Sequence, residues 1–146
     1  MWRQRTVFVG TFEHSLDDKG RLVLPTAFRG RLADGGYLTL WESCLALFAP
    51  AQFEDFVERL NEKVRSTEAS PSALRVFMAN ASEVRPDSQG RFPVPTRLRE
   101  YAGLESSVVL AGVRDHIELW APPRWADVST QGDASLADAV ARLGIF

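Results

Sequence analysis

The sequence predicts an α+β fold in which two copies of one β-β-α-β-β unit, padded by helices, close a small β-barrel together. Three observations predict it. The stretch Asp17-Asp18-Lys19-Gly20-Arg21-Leu22-Val23-Leu24-Pro25-Thr26-Ala27-Phe28-Arg29 returns seventy residues later as Asp87-Ser88-Gln89-Gly90-Arg91-Phe92-Pro93-Val94-Pro95-Thr96-Arg97-Leu98-Arg99, with six of thirteen positions identical. A second block, Leu45-Ala46-Leu47-Phe48-Ala49-Pro50, is answered by Ile117-Glu118-Leu119-Trp120-Ala121-Pro122, with Phe53 and Trp125 in step behind. Around both blocks the apolar runs are short and bounded by turn residues, which reads as strands. A lone two-stranded hairpin is marginal in water, so the two copies are expected to interleave their hairpins and share a core.

Taken in order, residues 1–6 (Met-Trp-Arg-Gln-Arg-Thr) form a loose basic lead-in. Val7-Phe8-Val9 reads as a short strand ended by Gly10, and residues 11–16 continue extended. Asp18-Lys19-Gly20-Arg21 is a hairpin turn, because Gly20 can take the positive φ that such a turn requires. Residues 21–24 return as a strand. Pro25-Thr26 then starts a short helix, which places Ala27, Phe28 and Leu32 toward the core. Two strands at 37–41 and 44–48 are joined at Glu42-Ser43. A helix runs from Ala51 to about Ser66, with Phe53, Phe56, Val57, Leu60 and Val64 on one face. Ser70-Pro71 opens another, with Leu74, Val76, Phe77 and Met78 as its apolar residues.

The second unit repeats this order from Ala81: strand, turn at Ser88-Gln89-Gly90, strand, short helix from Pro95, and a loop at Gly103. Pro93 cannot donate to a ladder, so its strand belongs at an edge or a bulge. Strands at 107–113 and 116–120 turn at Arg114-Asp115. A short helix starts near Pro123, residues 129–135 form a loop, and residues 136–143 make a last helix. The expected units are therefore 7–53 and 81–128, with a helical connector at 54–80 and a tail at 129–146.

Apolar content is ordinary and a quarter of the residues are charged, as in soluble globular proteins. No apolar run approaches the roughly 18 residues of a membrane span, and the N-terminus lacks a signal-peptide pattern, so a cytoplasmic location is the default. Cys44 is the only cysteine and reads as a small buried hydrophobe, with no intrachain disulfide available. The net charge of −2 is unevenly spread: residues 17–31 carry +2, residues 85–99 carry +3, and the rest sums to −7. The duplicated stretches are basic islands in an acidic chain.

These residues resemble the MraZ family of bacterial transcriptional regulators. The resemblance rests on Phe8-Val9-Gly10-Thr11, Asp17-Asp18-Lys19-Gly20-Arg21-Leu22, Leu24-Pro25 and Phe28-Arg29. In the second half it rests on Ala81-Ser82-Glu83, Asp87, Gly90-Arg91, Leu98-Arg99, Tyr101-Ala102-Gly103-Leu104 and Glu118-Leu119-Trp120. It covers residues 7–128; residues 1–6 precede the family's usual opening, and the segment after Val128 is poorly matched. The resemblance implies two tandem AbrB-like units in a swapped-hairpin barrel. It also implies a ring-shaped, nucleoid-associated homo-oligomer that binds tandem DNA repeats upstream of an operon of division and cell-wall genes. In that family an Asp-x-x-x-Arg motif contacts DNA, and here it falls on Asp17 with Arg21 and on Asp87 with Arg91. Gln89 stands where the first copy has Lys19, so the second motif has one positive charge fewer.

The chemistry suits that role. A two-stranded ribbon fits the major groove, and an arginine fork can make two hydrogen bonds to guanine O6 and N7. Arg21 and Arg91 are expected to do this, or to clamp a phosphate. Asp17 and Asp87 orient them by salt bridges or cap their own turns. Lys19, Arg29, Arg31, Arg97 and Arg99 are expected to position the protein on phosphates. Trp41, Trp120 and Trp125 read as core rather than base-stacking platforms, and His14 and His116 as lone histidines. No Cys/His cluster, phosphate loop or catalytic carboxylate pair is present, so neither enzyme activity nor a cofactor or metal is expected. Asp115-His116, at a tight turn, is read as exposed. The rival reading is an AbrB-like antitoxin or oligomeric scaffold acting through protein partners. It ranks second because such antitoxins carry one unit and a disordered tail.

Overall fold

The computed structural model describes residues 7–144. The first repeat comprises β1 (Thr11–Ser15), β2 (Arg21–Val23), α1 (Thr26–Arg29), a 3-10 turn (Gly30–Leu32), β3 (Gly36–Leu40) and β4 (Leu45–Phe48). Helices α2 (Pro50–Arg65) and α3 (Pro71–Ala79) connect it to β5 (Ser82–Val84), β6 (Arg91–Pro93), α4 (Thr96–Ala102), β7 (Ser107–Val113) and β8 (His116–Trp120). Helix α5 (Pro122–Leu143) completes the described chain. The lead-in proposed for residues 1–6 lies outside it.

The ladders run between the repeats. A six-stranded antiparallel sheet has the order β1-β7-β8-β4-β3-β5, and β2 pairs with β6 in a separate two-stranded ribbon. The first strand of each repeat thus lies against the other: β1 on β7, and β5 on β3. Two ladders are centred on equivalent residues of the two repeats, Leu22 opposite Phe92 and Ala46 opposite Glu118. Such a register is a local two-fold, so one pseudo-two-fold relates the repeats through both ladders.

Two expectations need correction. Among the described strands the hydrogen-bonded ring does not close: β1 and β5 are the outer strands of the sheet, and the ribbon stands apart. Each ribbon strand is three residues long, confined between a tight turn and Pro25 or Pro95, too short to reach a second neighbour. Nor do the arms of each expected hairpin pair with one another. Asp17 N–H donates to Arg21 O at 2.9 Å, after which β1 and β2 diverge to different ladders. Pro93 does sit on an edge, since both strands of a two-stranded ribbon are edges.

Period-2 alternation divides the sheet into two faces. Leu45, Leu47, Val108, Leu110, Ile117 and Leu119 join Leu22, Phe92, Leu24, Val94, Phe28 and Leu98 in the main core, between sheet and ribbon. On the other face Ala46 and Phe48 pack with Phe53 and Phe77 of α2 and α3, while Cys44, Val109 and Trp120 pack near Trp125 of α5. The ribbon is therefore on the side away from α2, α3 and the packed end of α5.

Several local readings change. Ala27 is exposed, because α1 is a single turn whose inward position is Phe28. Of the apolar residues in α3 only Phe77 is buried; Val76 and Met78 are exposed. Helix α5 is continuous where a loop was expected over 129–135. Ser129 and Thr130 return their hydroxyls to Ala126 O at 3.2 and 2.9 Å, and Gly132 weakens a helix without forbidding it. His116 is half-buried rather than exposed: its ring stacks near Trp41 and Phe48, and its Nε2 donates to Glu118 Oε2 at 3.0 Å. Burial pushes the Glu118 carboxyl up, but hydrogen bonds from His116 and Trp120 outweigh it and hold the group below its usual range. Trp120 and Cys44 are buried, as read from the sequence.

Candidate nucleic-acid interface

Each Asp-x-x-x-Arg motif folds into the same turn. Asp17 O accepts from Gly20 N at 3.0 Å, and Asp87 O from Gly90 N at 2.9 Å, with the glycines at φ 74° and 80°. That left-handed conformation is what glycine supplies without a Cβ penalty. The carboxylate is divided between backbone and side chain. Asp17 Oδ1 accepts from the amides of Lys19 (2.9 Å) and Arg21 (2.8 Å), while Oδ2 accepts from Arg21 Nε at 2.8 Å. Asp87 Oδ1 accepts from Gln89 and Arg91, both at 2.9 Å, and Oδ2 from Arg91 Nε at 2.7 Å. The amide of the motif arginine, helped by its side chain and by the intervening amide, holds each carboxyl below its ordinary value.

This arrangement settles the orientation of the guanidinium. Nε is the nitrogen that bonds the aspartate, and Nη1 and Nη2 of Arg21 and Arg91 take no part in that bond. Among the described residues they have no hydrogen-bond partner. Those terminal nitrogens are the pair that bridges guanine O6 and N7, or two oxygens of one phosphate. The Asp serves both purposes considered from the sequence, turn cap and arginine orienter.

The structure brings the two motifs together. Arg21 opposes Pro93 and Val23 opposes Arg91, so these four residues share one face of the ribbon. Leu22 and Phe92, on the other face, are fully buried. The arginines occupy a diagonal of the outer face, with backbones about 7–8 Å apart. A ribbon of this kind enters a groove about 12 Å wide. Val23 and Pro93, between the arginines, had no functional reading in the sequence; the two-residue alternation about Leu22 and Phe92 was the signal available.

The remaining cations are placed differently. Lys19 is exposed beside its turn, and its counterpart Gln89 is likewise exposed. Arg97 is exposed, and its Nε donates to Asn80 Oδ1. Arg31 is half-buried with its guanidinium 4.1 Å from the centre of the Phe8 ring, where burial pulls its pKa below the usual value. Arg29 and Arg99 are half-buried as well. Arg29 Nε donates to Leu24 O at 2.8 Å, and Arg99 Nη2 donates to Thr96 Oγ1 at 2.8 Å. Among the described residues, no group of three or more His, Cys, Asp or Glu side chains is placed to hold a metal ion.

The family model described as "MraZ protein, putative antitoxin-like" matches the chain twice, over residues 7–76 and 77–144. The chain belongs to the MraZ family. Curated MraZ relatives agree over nearly full length. A protein of Kocuria rhizophila is 36% identical over 133 residues, covering 90% of this chain and 93% of the relative. One of Salinispora tropica is 37% identical over 133 residues, covering 90% and 94%. One of Nocardioides sp. is 39% identical over 132 residues, covering 90% and 92%. All three are named "Transcriptional regulator MraZ". The double match of the MraZ model falls on the same duplication that the two motif turns display.

Proposed function

We propose that this protein is a DNA-binding transcriptional regulator that presents the β2–β6 ribbon to the major groove. The observation that carries the reading is the paired geometry of Arg21 and Arg91. Each is oriented through Nε by its own aspartate, each has its terminal nitrogens free of partners among the described residues, and both lie on one solvent-facing ribbon. Fixing the fork before binding lowers the rotamer entropy lost on contact. Lys19 and Arg97, both exposed, supply phosphate contacts around it. Val23 and Pro93 offer apolar surface of the kind that packs on a thymine methyl. In keeping with the resemblance, the protein acts as a homo-oligomer, repeating the ribbon along tandem DNA repeats upstream of a division and cell-wall operon.

The test is a fluorescence-anisotropy titration against the duplex immediately upstream of the gene and a scrambled duplex, at two salt concentrations. Tighter binding to the native duplex that persists at the higher salt supports the reading. Equal, salt-sensitive binding to both reduces it to a nonspecific basic face.

A second reading, an antitoxin or scaffold acting through protein partners, is favoured by one observation. Leu136 and Leu143 of α5 are 64% and 69% exposed on a helix that buries no residue, a surface suited to a partner. Co-purification of a small basic protein, with no preference between the two duplexes, would favour it.

A further inference from the structure

The contacts of Arg29 and Arg99 cross from one repeat to the other. A Cβ built on Gly20 would stand 2.5 Å from Arg99 Nη1 and 3.0 Å from Arg99 Cζ. A Cβ built on Gly90 would stand 2.6 Å from both Nε and Cζ of Arg29. Each guanidinium therefore lies directly over the glycine of the opposite motif turn, in space that only a missing side chain leaves. The backbone is joined at the same points. Leu24 N donates to Gly90 O at 2.7 Å, and Val94 N donates to Gly20 O at 2.9 Å. The first turn, with Asp17 and Arg21, is thus backed by the second repeat; the second turn, with Asp87 and Arg91, is backed by the first.

We infer that Arg99 and Arg29 are positioning residues acting in trans between the repeats: Arg99 holds the Asp17–Arg21 turn in its reading geometry, and Arg29 holds the Asp87–Arg91 turn. The inference rests on the ribbon being the DNA-reading surface. The two halves differ in strength. Arg29 is tied through Nε to Leu24 O, while Arg99 Nε is buried without a hydrogen-bond partner among the described residues. Among the described residues the Arg99 guanidinium has only Thr96 as a hydrogen-bond partner, which makes it the looser backing of the two.

Two arms test this in the full-length protein. The first needs no DNA: amide and carboxyl NMR of Arg99→Gln compared with Arg29→Gln. Arg99→Gln is expected to shift the signals of residues 17–21 and move the Asp17 titration up toward its ordinary range, leaving residues 87–91 unchanged. Arg29→Gln does the reverse. Shifts confined to the mutated residue's own repeat would overturn the inference whatever the protein binds. The second arm is a double-mutant cycle against the duplex upstream of the gene. Arg99→Gln is expected to weaken binding roughly tenfold alone and in an Arg91→Ala background, but less than about twofold in an Arg21→Ala background. Additive losses in both backgrounds, with the salt slope reduced by about one, would make Arg99 a phosphate contact and overturn the positioning role. If the first arm succeeds while the native duplex is bound no better than a scrambled one, the proposed function fails and the cross-repeat contact stands. Should Arg99→Gln not fold, Arg99→Lys keeps charge and stem but loses the planar fork, and the same two readouts apply.

Discussion

Asp17 and Asp87 accept two backbone amides on one oxygen and a guanidinium nitrogen on the other, and this division makes their behaviour with pH predictable. Both carboxyls are depressed in the folded protein, so their contribution is present above the unfolded carboxylate range, near 4, and is lost as pH falls through the lower folded values. Carboxyl NMR should therefore find both groups ionised from pH 8 down to about 5, with the motif turns unchanged over that interval. A transition of residues 17–21 or 87–91 inside it would contradict the assigned hydrogen bonds. Asp17→Asn keeps an acceptor for the amides but gives up the charge that orients Arg21. It should weaken DNA binding while leaving the thermal midpoint close to that of the unaltered protein, as calorimetry would check. At Cys44, burial pushes the thiol well above its usual value, so a thiol reagent should label it only when the protein is unfolded. The motif residues were legible in the sequence because identity recurred at fixed spacing. The crossing contacts of Arg29 and Arg99 were not, since a cation that ends a short amphipathic helix reads the same whether it faces water or a turn of the other repeat.

The elements divide by how far local pattern determines them. Helix α2, β7 and β8 were readable because their apolar spacing is regular and their bounds carry proline or turn residues. Helix α5 was not, because Ser129, Thr130 and Gly132 carry the composition of a loop, whereas the hydroxyls bond back to Ala126 O within the helix. Gly132 offers a clean test. A Cβ there meets nothing within 4 Å, and its φ lies outside the left-handed region. Gly132→Ala should stabilise the helix locally by up to about 1 kcal/mol. It should appear as higher helical ellipticity and slower amide exchange across 129–140; an unchanged exchange pattern would restore the loop. The strand faces were also legible, since two-residue alternation marks which side is buried. It does not name the neighbouring strand. The hairpin reading of residues 11–24 was natural for a glycine turn between two extended runs, but burial of Leu22 against Phe92 gives β2 a better partner than its own preceding strand.

At the scale of the molecule the two repeats share their ladders and one core, which predicts that they unfold together. In residues 7–76 alone, β1 has lost β7, β2 has lost β6, and β4 has lost β8. Each half should be unfolded by circular dichroism when expressed separately, and mixing the halves should restore β structure; an independently folded half would contradict the ladder assignments. Phe92→Ala removes a fully buried ring at the centre of the ribbon, and should cost about 3–5 kcal/mol in a single unfolding transition that takes both repeats with it. The shared core also decides which face of the ribbon is left outside. The sheet and the helices behind it occupy one side, leaving the outer face of the ribbon, with Arg21 and Arg91, on the other.

The most direct measurement of the central claim is the affinity of Arg21→Ala and of Arg91→Ala for the duplex upstream of the gene, with assembly and thermal midpoint recorded on the same samples. Each substitution is expected to cost roughly 1–3 kcal/mol of binding and relax sequence preference, while assembly and midpoint stay nearly unchanged. Unaltered affinity in both variants, or a loss of binding that comes with a loss of fold, would contradict the assignment of these arginines as the reading residues.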